Sequence, residues 1–455
     1  MTGDDVRLLI DDPARRAEVS VTELAEALLM RLETRADLHA TITLTPELAL
    51  AQARAADAAR TSGGALPLDG MPLVIKDNVD IAGVPTTVGS RLFADRIASS
   101  DAEVTTRIRR AGGVVLGTAN LHELAFGATS ANETFGAVIN PSAPDRIPGG
   151  SSGGSGAAVA ADLCVAAIGT DTGGSVRLPA SLCAVSGLRP TFGAVSNRGV
   201  QPVSSSLDTV GPLARSMTDV RALLASIAGF DSRDPSSCER VLGLTLDDSV
   251  EGLRVGVVES LVERSDPDIA AAVRVVAAVL SESGAHLSPI EIDGWQRAVD
   301  ACGLLIKAEA LGVYREAVTE TPELFEEGTR RRFALAADVD ADALRDLRLE
   351  QSRFAETVER TLSGVDLLLL PTIPVDAPRA DGADTVGTTA AVAPYTHLLS
   401  FAHVPALSIP CGVTSTGGPI GAQLAAARWH DGLAIRAGAA LQSVTDWHRA
   451  RPAFG

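Results

Sequence analysis

The chain has 455 residues, of which 46% are hydrophobic and 21% are charged. This composition is typical of a globular protein whose core is large enough to need no disulfide or structural metal. With 39 basic and 57 acidic residues, the formal net charge is −18. Such an acidic balance argues against a partner that is a nucleic acid or an anionic membrane surface.

The N-terminal residues lack a basic segment followed by an apolar one, and no apolar stretch approaches the ~20 residues of a membrane helix. The five cysteines are scattered, without a Cys-x-x-Cys pair, at Cys164, Cys183, Cys238, Cys302 and Cys411. This spacing argues against a disulfide framework and against a metal site. We therefore expect a soluble, cytoplasmic protein that uses no metal and no cofactor.

Lysine is very rare in this chain. Of the 39 basic residues only Lys76 and Lys307 are lysines, and the others are arginines. Arginine keeps its proton at any working pH, whereas a buried lysine can lose one. We therefore expect at least one of the two lysines to be functional, and we favour an exposed helix surface for Lys307.

The first sixty residues have the pattern of helices. Ser20 and Glu23 form a capping-box pattern before an apolar-periodic run, and residues 46–60 form a second helical run. From about residue 70 to 220, short apolar runs alternate with Gly-rich turns and helical stretches. This alternation predicts an α/β fold whose sheet is largely parallel and buried on both faces.

The second half of the chain continues this pattern. Strands are predicted over residues 253–258, 287–292 and 365–371 and in two final apolar runs, with helices over 266–283 and 432–443. Residues 378–394 lack periodicity and are predicted to be a surface loop. We interpret residues 1–455 as one domain, made of N-terminal helices (1–65), a catalytic core (66–290), a helical insertion (294–362) and a C-terminal part of the core (363–455).

The segment from Pro148 to Ser181 is rich in glycine and serine, and several chemistries compete for it. A phosphate-binding P-loop would need a lysine that this segment lacks, and a dinucleotide fingerprint would need a preceding strand. The nucleophile-elbow pattern Gly-x-Ser-x-Gly begins at both Gly149 and Gly150, but it too lacks the preceding strand. That alternative stays open as a weak one.

A better candidate is the turn that runs from Asp171 to Ser175. Its two consecutive glycines would let backbone N–H groups point into one concavity, as an oxyanion hole requires. Ser175 would then be a nucleophile beside its own oxyanion hole. The simpler alternative is an ordinary tight turn at the end of a strand.

The motifs GGSSGGSGAAVAA and GTDTGGSVRLPAS resemble those of the amidase signature family. The segments GMPLVIKDNVDIAGVPTTVGS, GLRPTFGAVSNRGVQPVSSSLDTVGPLARS, VDLLLLPT, PALSIPCG and GPIGAQL are similar to the family as well, so the resemblance covers about residues 20–440. It implies a single α/β domain with a central mixed, largely parallel, twisted sheet and helices on both faces.

The resemblance also assigns roles to residues. Lys76 would be the base, Ser151 the bridging serine and Ser175 the nucleophile, with a cis peptide bond before Ser151. The backbone N–H groups that form the oxyanion hole would come from Thr172, Gly173, Gly174 and Ser175. Three further residues would support these loops, namely Ser152, Asp171 and Arg177.

The implied activity is cleavage of a C–N bond in an amide through an acyl-enzyme, with broad aryl or alkyl specificity. The first alternative is a carbamate (urethane) hydrolase. Further alternatives are a urea-derivative (biuret-type) hydrolase or the glutaminase subunit of a tRNA-dependent amidotransferase, which works inside an assembly. Glutamine would need charged groups for its carboxylate and amine, and residues 294–400 reveal no such pair. A scaffold without activity is disfavoured because the three catalytic positions are intact.

The substrate pocket is harder to place from the sequence. Our candidates for its lining are Phe126, Gly127, Thr129, Leu305, Tyr314, Tyr395 and Phe401, although each aromatic residue could instead be core. We expect a small-molecule amide or carbamate as the partner, in an apolar pocket with little aromatic stacking. The segment 378–394 could be a lid, and the sequence leaves a homodimer open.

Overall fold

The computed structural model describes residues 1–64, 66–245 and 247–451. The strands are β1 (Thr41–Leu44), β2 (Pro72–Lys76), β3 (Val114–Ala119), β4 (Ala166–Asp171), β5 (Ser186–Arg189), β6 (Thr209–Ala214), β7 (Arg254–Val258), β8 (His286–Ile290), β9 (Leu367–Pro371), β10 (Ala406–Val413) and β11 (Pro419–Ala426). The helices are α1 (Gly3–Asp11), α2 (Pro13–Glu18), α3 (Val21–Thr34), α4 (Pro46–Thr61), α5 (Glu103–Arg110), α6 (Gly153–Ala160), α7 (Arg177–Leu182), α8 (Met217–Ile227), α9 (Glu259–Glu263), α10 (Pro267–Glu282), α11 (Trp295–Glu320), α12 (Glu327–Ala334), α13 (Ala341–Gly364), α14 (Thr385–Val392), α15 (Pro394–Phe401) and α16 (Asp431–Val444).

The strands form one mixed sheet in the order β1-β3-β2-β4-β6-β5-β10-β11-β9-β7-β8. This confirms the α/β fold, but the expectation of a largely parallel sheet is wrong. The neighbours are antiparallel all the way from β4 to β9, and parallel pairs lie only towards the two ends. One cause is the short connection over residues 414–418, which joins β10 to β11 and can only return the chain as a hairpin.

The sheet lies between two apolar cores. Successive residues of β9 point to opposite faces, and accordingly Leu367 and Leu369 belong to one core while Leu368 and Leu370 belong to the other. All of these side chains are fully buried. Helices therefore cover both faces, and the second core includes residues of the helices α11, α13 and α15.

The site is positioned by two neighbouring parallel strands. β2 ends at Lys76 and β4 ends at Asp171, and the two strands pair in parallel, so both carboxyl ends reach the same edge of the sheet. Helix α6 begins at Gly153, two residues after Ser151. Three separate segments of the chain thus meet at one place.

The segment 378–394 is not a loop throughout, which corrects the sequence prediction. It contains α14, and α15 begins at its last residue, Pro394. Helix α14 begins after Asp384, whose carboxylate accepts hydrogen bonds from the N–H groups of Val386 and Gly387. No helix among residues 1–64, 66–245 and 247–451 is long and apolar enough to cross a membrane.

Candidate active site

Lys76 is a fully buried lysine at the end of β2. Its Nζ donates hydrogen bonds to Ser151 Oγ and to Thr170 Oγ1, both at 2.7 Å. Complete burial lowers the pKa of Lys76 to about 7, and the charges of Asp171 and Asp208 oppose that shift only partly. Near neutral pH this amine can therefore either hold or accept a proton.

The two predicted serines lie on loops that contact each other, and they differ in exposure. Ser151 is fully buried, whereas Ser175 is partly exposed and lines a cavity. The N–H of Ser152 donates to the carbonyl oxygen of Ser175 at 3.2 Å, which joins the two loops one residue from Ser151. The Gly150–Ser151 peptide bond is cis, as the resemblance implied.

The turn after β4 presents some of its N–H groups but not all of those predicted. The N–H of Gly174 donates to Asp171 Oδ1 at 2.8 Å, so this group is already engaged. The N–H groups of Thr172, Gly173 and Ser175 have no hydrogen-bond acceptor among the described residues. A potential oxyanion hole therefore comprises these three groups without Gly174.

Glycine is required at two positions of this turn. A Cβ on Gly174 would lie 2.1 Å from Thr396 Oγ1, and the φ of Gly174 is +130°. A Cβ on Gly173 would lie 2.7 Å from the His397 ring and 2.9 Å from Ile306. The turn is therefore packed closely against α11 and α15, which hold its backbone in place.

Two arginines bind the carboxylate of Asp171, at the start of the turn. Its carboxylate accepts hydrogen bonds from Arg177 Nε and Nη2 at 3.0 and 2.9 Å and from Arg189 Nη1 at 3.1 Å. All three side chains are fully buried. Although burial by itself raises the pKa of Asp171, the two guanidinium groups outweigh it and hold that pKa well below its usual range. Arg177 also donates to Ser400 Oγ at 2.6 Å, which ties the turn to α15.

Two further contacts support the loops. Ser152 Oγ donates to the carbonyl oxygen of Thr170 at 3.2 Å and accepts from the Thr170 N–H at 3.3 Å. Thr172 Oγ1 donates to Asp208 Oδ1 at 2.6 Å. Burial raises the pKa of Asp208 to about 6. The motifs gave no indication of Thr170 or Asp208, because neither residue stands out in the sequence.

The cavity in front of Ser175 has a volume of about 350 Å³. Phe126 and Gly127 line it, in agreement with the lining we expected. Most of the wall is apolar, and its other apolar members include Ala125, Ala128, Leu178, Val203, Val299, Leu304, Ile306, Leu335, Val386, Ala390, Ala393 and Pro394.

The other predicted lining residues are packed elsewhere. Thr129 is buried and bonds the His122 ring at 3.2 Å. Leu305 and Phe401 are fully buried core residues. Tyr314 and Tyr395 donate their hydroxyl groups to the carbonyl oxygens of Pro202 and Leu261, at 3.2 and 3.0 Å. All of these residues except Thr129 belong to the helices α11 and α15.

The cavity also contains charged residues that the sequence did not reveal. Asp300, Lys307 and Arg332 line it together with His397. Lys307 therefore lines the cavity, and our expectation of an exposed helix surface for it is wrong. Asp300, Lys307 and Arg332 are charged residue types within 294–400, where the sequence had revealed no pair suited to glutamine. Burial lowers the pKa of His397 to about 3, so its ring is neutral at pH 7.

Comparison with known protein families assigns a family to nearly the whole chain. The family model described as Amidase matches residues 23–435, which is most of the chain. The chain belongs to the amidase signature family. The chain therefore belongs with a family of enzymes that act on C–N bonds.

Among curated proteins, the relatives of the chain include two bacterial proteins that are each named as the A subunit of a glutamyl-tRNA(Gln) amidotransferase. That of Chromohalobacter salexigens is 36% identical over 97% of this chain and 96% of its own length. That of Chloroflexus aggregans is 38% identical over 96% of this chain and 95% of its own length.

Several solved structures resemble the fold of this chain. A structure described as a vestigial protein complex revealing the origins of an s-triazine catabolic enzyme has a TM-score of 0.88 at 33% identity, covering 94% of this chain and 95% of that one. The glutamyl-tRNA(Gln) amidotransferase A subunit of Thermotoga maritima has a TM-score of 0.75 at 32% identity, with 83% of each chain covered. A 6-aminohexanoate cyclic dimer hydrolase has a TM-score of 0.84 at 28% identity, with 96% of each chain covered.

Proposed function

We propose that this amidase hydrolyses a small amide through an acyl-enzyme formed on Ser175. Ser151 would relay protons, and Lys76 would be the base. The observation that carries the proposal is the bond from the buried Lys76 to Ser151 at 2.7 Å, beside a serine that opens into a cavity. Each part of this arrangement is needed by the chemistry and has little purpose in a purely structural loop.

In this mechanism, neutral Lys76 accepts the proton of Ser151 as Ser151 accepts that of Ser175. Ser175 Oγ then forms a bond to the carbonyl carbon, and the N–H groups of Thr172, Gly173 and Ser175 stabilise the negative oxygen. The relay returns the proton to the leaving nitrogen, and the C–N bond breaks. Water then cleaves the ester by the same route and releases the acid.

The size and the apolar wall of the cavity are suited to binding an acyl or aryl group of moderate size. Its wall is largely apolar and includes Phe126, Ile306 and Val386. Burying such a group contributes about 25 cal/mol for each Å² of apolar surface removed from water. We therefore propose aryl or alkyl amides as the first substrate class, with carbamates as the alternative for the same cavity.

The test is release of aniline from an anilide and from an aryl carbamate built on the same aniline. We expect hydrolysis of the anilide, and Ser175→Ala should lower its turnover by on the order of a thousandfold or more. Comparable cleavage of the carbamate would assign a urethane hydrolase. Cleavage of the anilide that Ser175→Ala leaves intact would contradict the proposed nucleophile.

The curated relatives favour a second candidate, the glutaminase component of an amidotransferase. Both reported relatives are named as amidotransferase components, over nearly the whole of this chain. If this candidate is right, the protein should release ammonia from glutamine, and the relay through Ser175 would be the same. Ammonia release from glutamine that exceeds hydrolysis of every anilide would favour this candidate over the first.

A further inference from the structure

One of the two lysines of the chain has no part in the proposed relay. Lys76 is fully buried, and its Nζ is bonded to Ser151 and Thr170. Lys307 is only half-buried and lines the cavity in front of Ser175. A molecule that enters the cavity therefore meets the amine of Lys307 and not that of Lys76.

The amine of Lys307 forms a single hydrogen bond with the described residues. Nζ donates to the carbonyl oxygen of Gly303, one helical turn earlier in α11, at 2.8 Å. A Cβ at residue 303 would lie 3.4 Å from Nζ, in tight contact, so glycine leaves the amine room to fold back along the helix. This bond uses one N–H group, and the nitrogen lone pair stays free to react whenever Lys307 is neutral.

The surroundings of this amine favour its neutral form. Lys307 has no ion pair with the described residues, and Asp300, the carboxylate that lines the same cavity, is exposed. Burial lowers the pKa of Lys307, Cys302 opposes that shift only partly, and the positive charge of Arg332 adds to it. A lysine that loses its proton in an apolar pocket is a nucleophile towards carbonyl compounds.

We propose that Lys307 is a second covalent site of this cavity, at which the amine captures apolar aldehydes as imines and so closes the cavity to the amide. Aldehydes are the class that fits, because their carbonyl carbon reacts with a neutral amine. The apolar wall suits an aryl or alkyl group, and its members Val299, Leu304 and Ile306 lie on the same helix as Lys307. The capture does not need the proposed hydrolysis, whereas the loss of activity that follows from it rests on that function.

The capture is a condensation that needs no oxidant and no reductant. The lone pair of Nζ forms a bond to the carbonyl carbon, and a proton passes from the nitrogen to the carbonyl oxygen through water. The nitrogen then forms the C=N bond while the hydroxyl group takes up a proton and leaves as water. The remaining N–H proton is released to the solvent, so one aldehyde and one amine give one imine and one water.

The experiment treats the protein with benzaldehyde and sodium cyanoborohydride, which reduces the imine to a stable secondary amine, and locates the label by tandem mass spectrometry. The reference is a surface amine added by Arg110→Lys, at an exposed position without an ion pair to the described residues. We expect labelling of Lys307 to be at least tenfold faster than labelling of this reference amine. Glyceraldehyde, which is polar, should show a much smaller difference between the two.

Two variants connect the label to the activity. Lys307→Met should lose the label in the cavity, and Ser175→Ala should keep it, because the capture does not use the nucleophile. Labelling of the wild type should lower anilide hydrolysis in proportion to the fraction labelled, and the loss should persist after dialysis. The same treatment of Lys307→Met should leave the activity of that variant as it was before treatment.

The outcomes separate this inference from the proposed hydrolysis. Selective labelling of Lys307 without hydrolysis of any anilide would leave the capture site standing and contradict the proposed function. Hydrolysis together with labelling of Lys307 that is no faster than labelling of the reference amine would overturn the capture site alone. Complete labelling with undiminished hydrolysis would overturn the closing of the cavity. Because the two labelling rates are compared within one chain, the comparison holds even if Lys307→Met does not fold.

Discussion

At the scale of single residues, the proposed chemistry depends on the proton of one buried amine. Lys76 has no exposed surface, and its bonds to Ser151 and Thr170 fix its position. Replacing it with alanine should leave the secondary structure intact and lower kcat by about a thousandfold, since a general base contributes roughly 10²–10⁴. Steady-state kinetics with circular dichroism checks this, and near wild-type turnover of Lys76→Ala would refute the relay.

The same residue should set the pH dependence. Because Lys76 must be neutral to accept a proton, and burial lowers its pKa to about 7, kcat/KM should rise as pH increases through about 7 and level off above it. Below that pH the protonated amine is inactive, so the rate should fall about tenfold for each pH unit. A profile that is flat through neutrality, or that rises only near pH 10, would be inconsistent with this role.

A control separates the titration of Lys76 from that of Asp208, one of the carboxyl groups near it whose pKa is raised. Asp208 contacts the turn at Thr172, and burial raises its pKa to about 6. Asp208→Asn should reduce activity through the position of the turn, yet leave the ascending limb near pH 7. His397 cannot produce that limb, because burial lowers its pKa to about 3.

At the scale of elements, helix α14 forms one wall of the cavity. Val386, Thr389 and Ala390 of this helix line the cavity at the spacing of one helix face, and so does Ala393, which directly follows the helix. Ala390→Phe should therefore fill part of the cavity and raise the KM of an anilide about tenfold, whereas acetamide should be affected far less. The adjacent Ala391 does not belong to that face, so Ala391→Phe is the matched control and should change neither KM.

Competition kinetics with anilides of increasing acyl length would check this role. If Ala390→Phe and Ala391→Phe behave alike for every anilide, α14 is not part of the substrate site. The same comparison bears on the idea that residues 378–394 act as a lid. A lid requires movement, and in that case both substitutions should change the rate of product release rather than KM alone.

The sequence revealed the site where its residues are contiguous and chemically unusual. Ser151 and Ser175 lie in Gly-rich runs that recur in a known family, and Lys76 stands out because lysine is so rare. The cavity wall has no such signal, because Lys307 and Arg332 come from different helices and line the same cavity only in the folded chain. In the sequence, Arg332 cannot be distinguished from the two exposed arginines that precede it.

The strand directions were also hard to predict, because they depend on how distant segments of the chain pair. Apolar runs such as β4 and β9 are buried on both faces, and such runs are usual in parallel sheets. Here the centre of the sheet is antiparallel, and its strands are buried because helices cover both faces of the molecule. The Thr-Gly-rich residues 414–418 were the one local indication of a hairpin.

At the scale of the whole molecule, the cluster around Asp171 connects several elements. Asp171 ends β4, Arg177 begins α7 and Arg189 ends β5, and all three are buried together. Arg177 further donates to Gln423 of β11 at 2.9 Å and to Ser400 of α15. This cluster therefore joins the middle of the sheet to the helices that surround the cavity, and it orients the turn that carries Ser175.

Removing the charge of Asp171 should weaken the fold as well as the site. Asp171→Asn leaves two buried guanidinium groups without an anion, and breaking a buried pair in this way costs about 3–5 kcal/mol. Because the pKa of Asp171 is held below its usual range, this stabilisation is complete above about pH 4 and is lost as pH falls further. Urea unfolding of the wild type and of Asp171→Asn at several pH values would measure this stabilisation. The difference between their free energies of unfolding should become smaller in acid.

The matched control for this substitution is Asp381→Asn, which removes one partner of an exposed pair with Arg379. Since exposed pairs contribute little, the unfolding midpoint should stay as in the wild type. If Asp171→Asn also unfolds at the wild-type midpoint but loses activity, the cluster acts only on the turn after β4. If both stability and activity are retained, the buried arginines are satisfied by other groups and the cluster does not hold the molecule together.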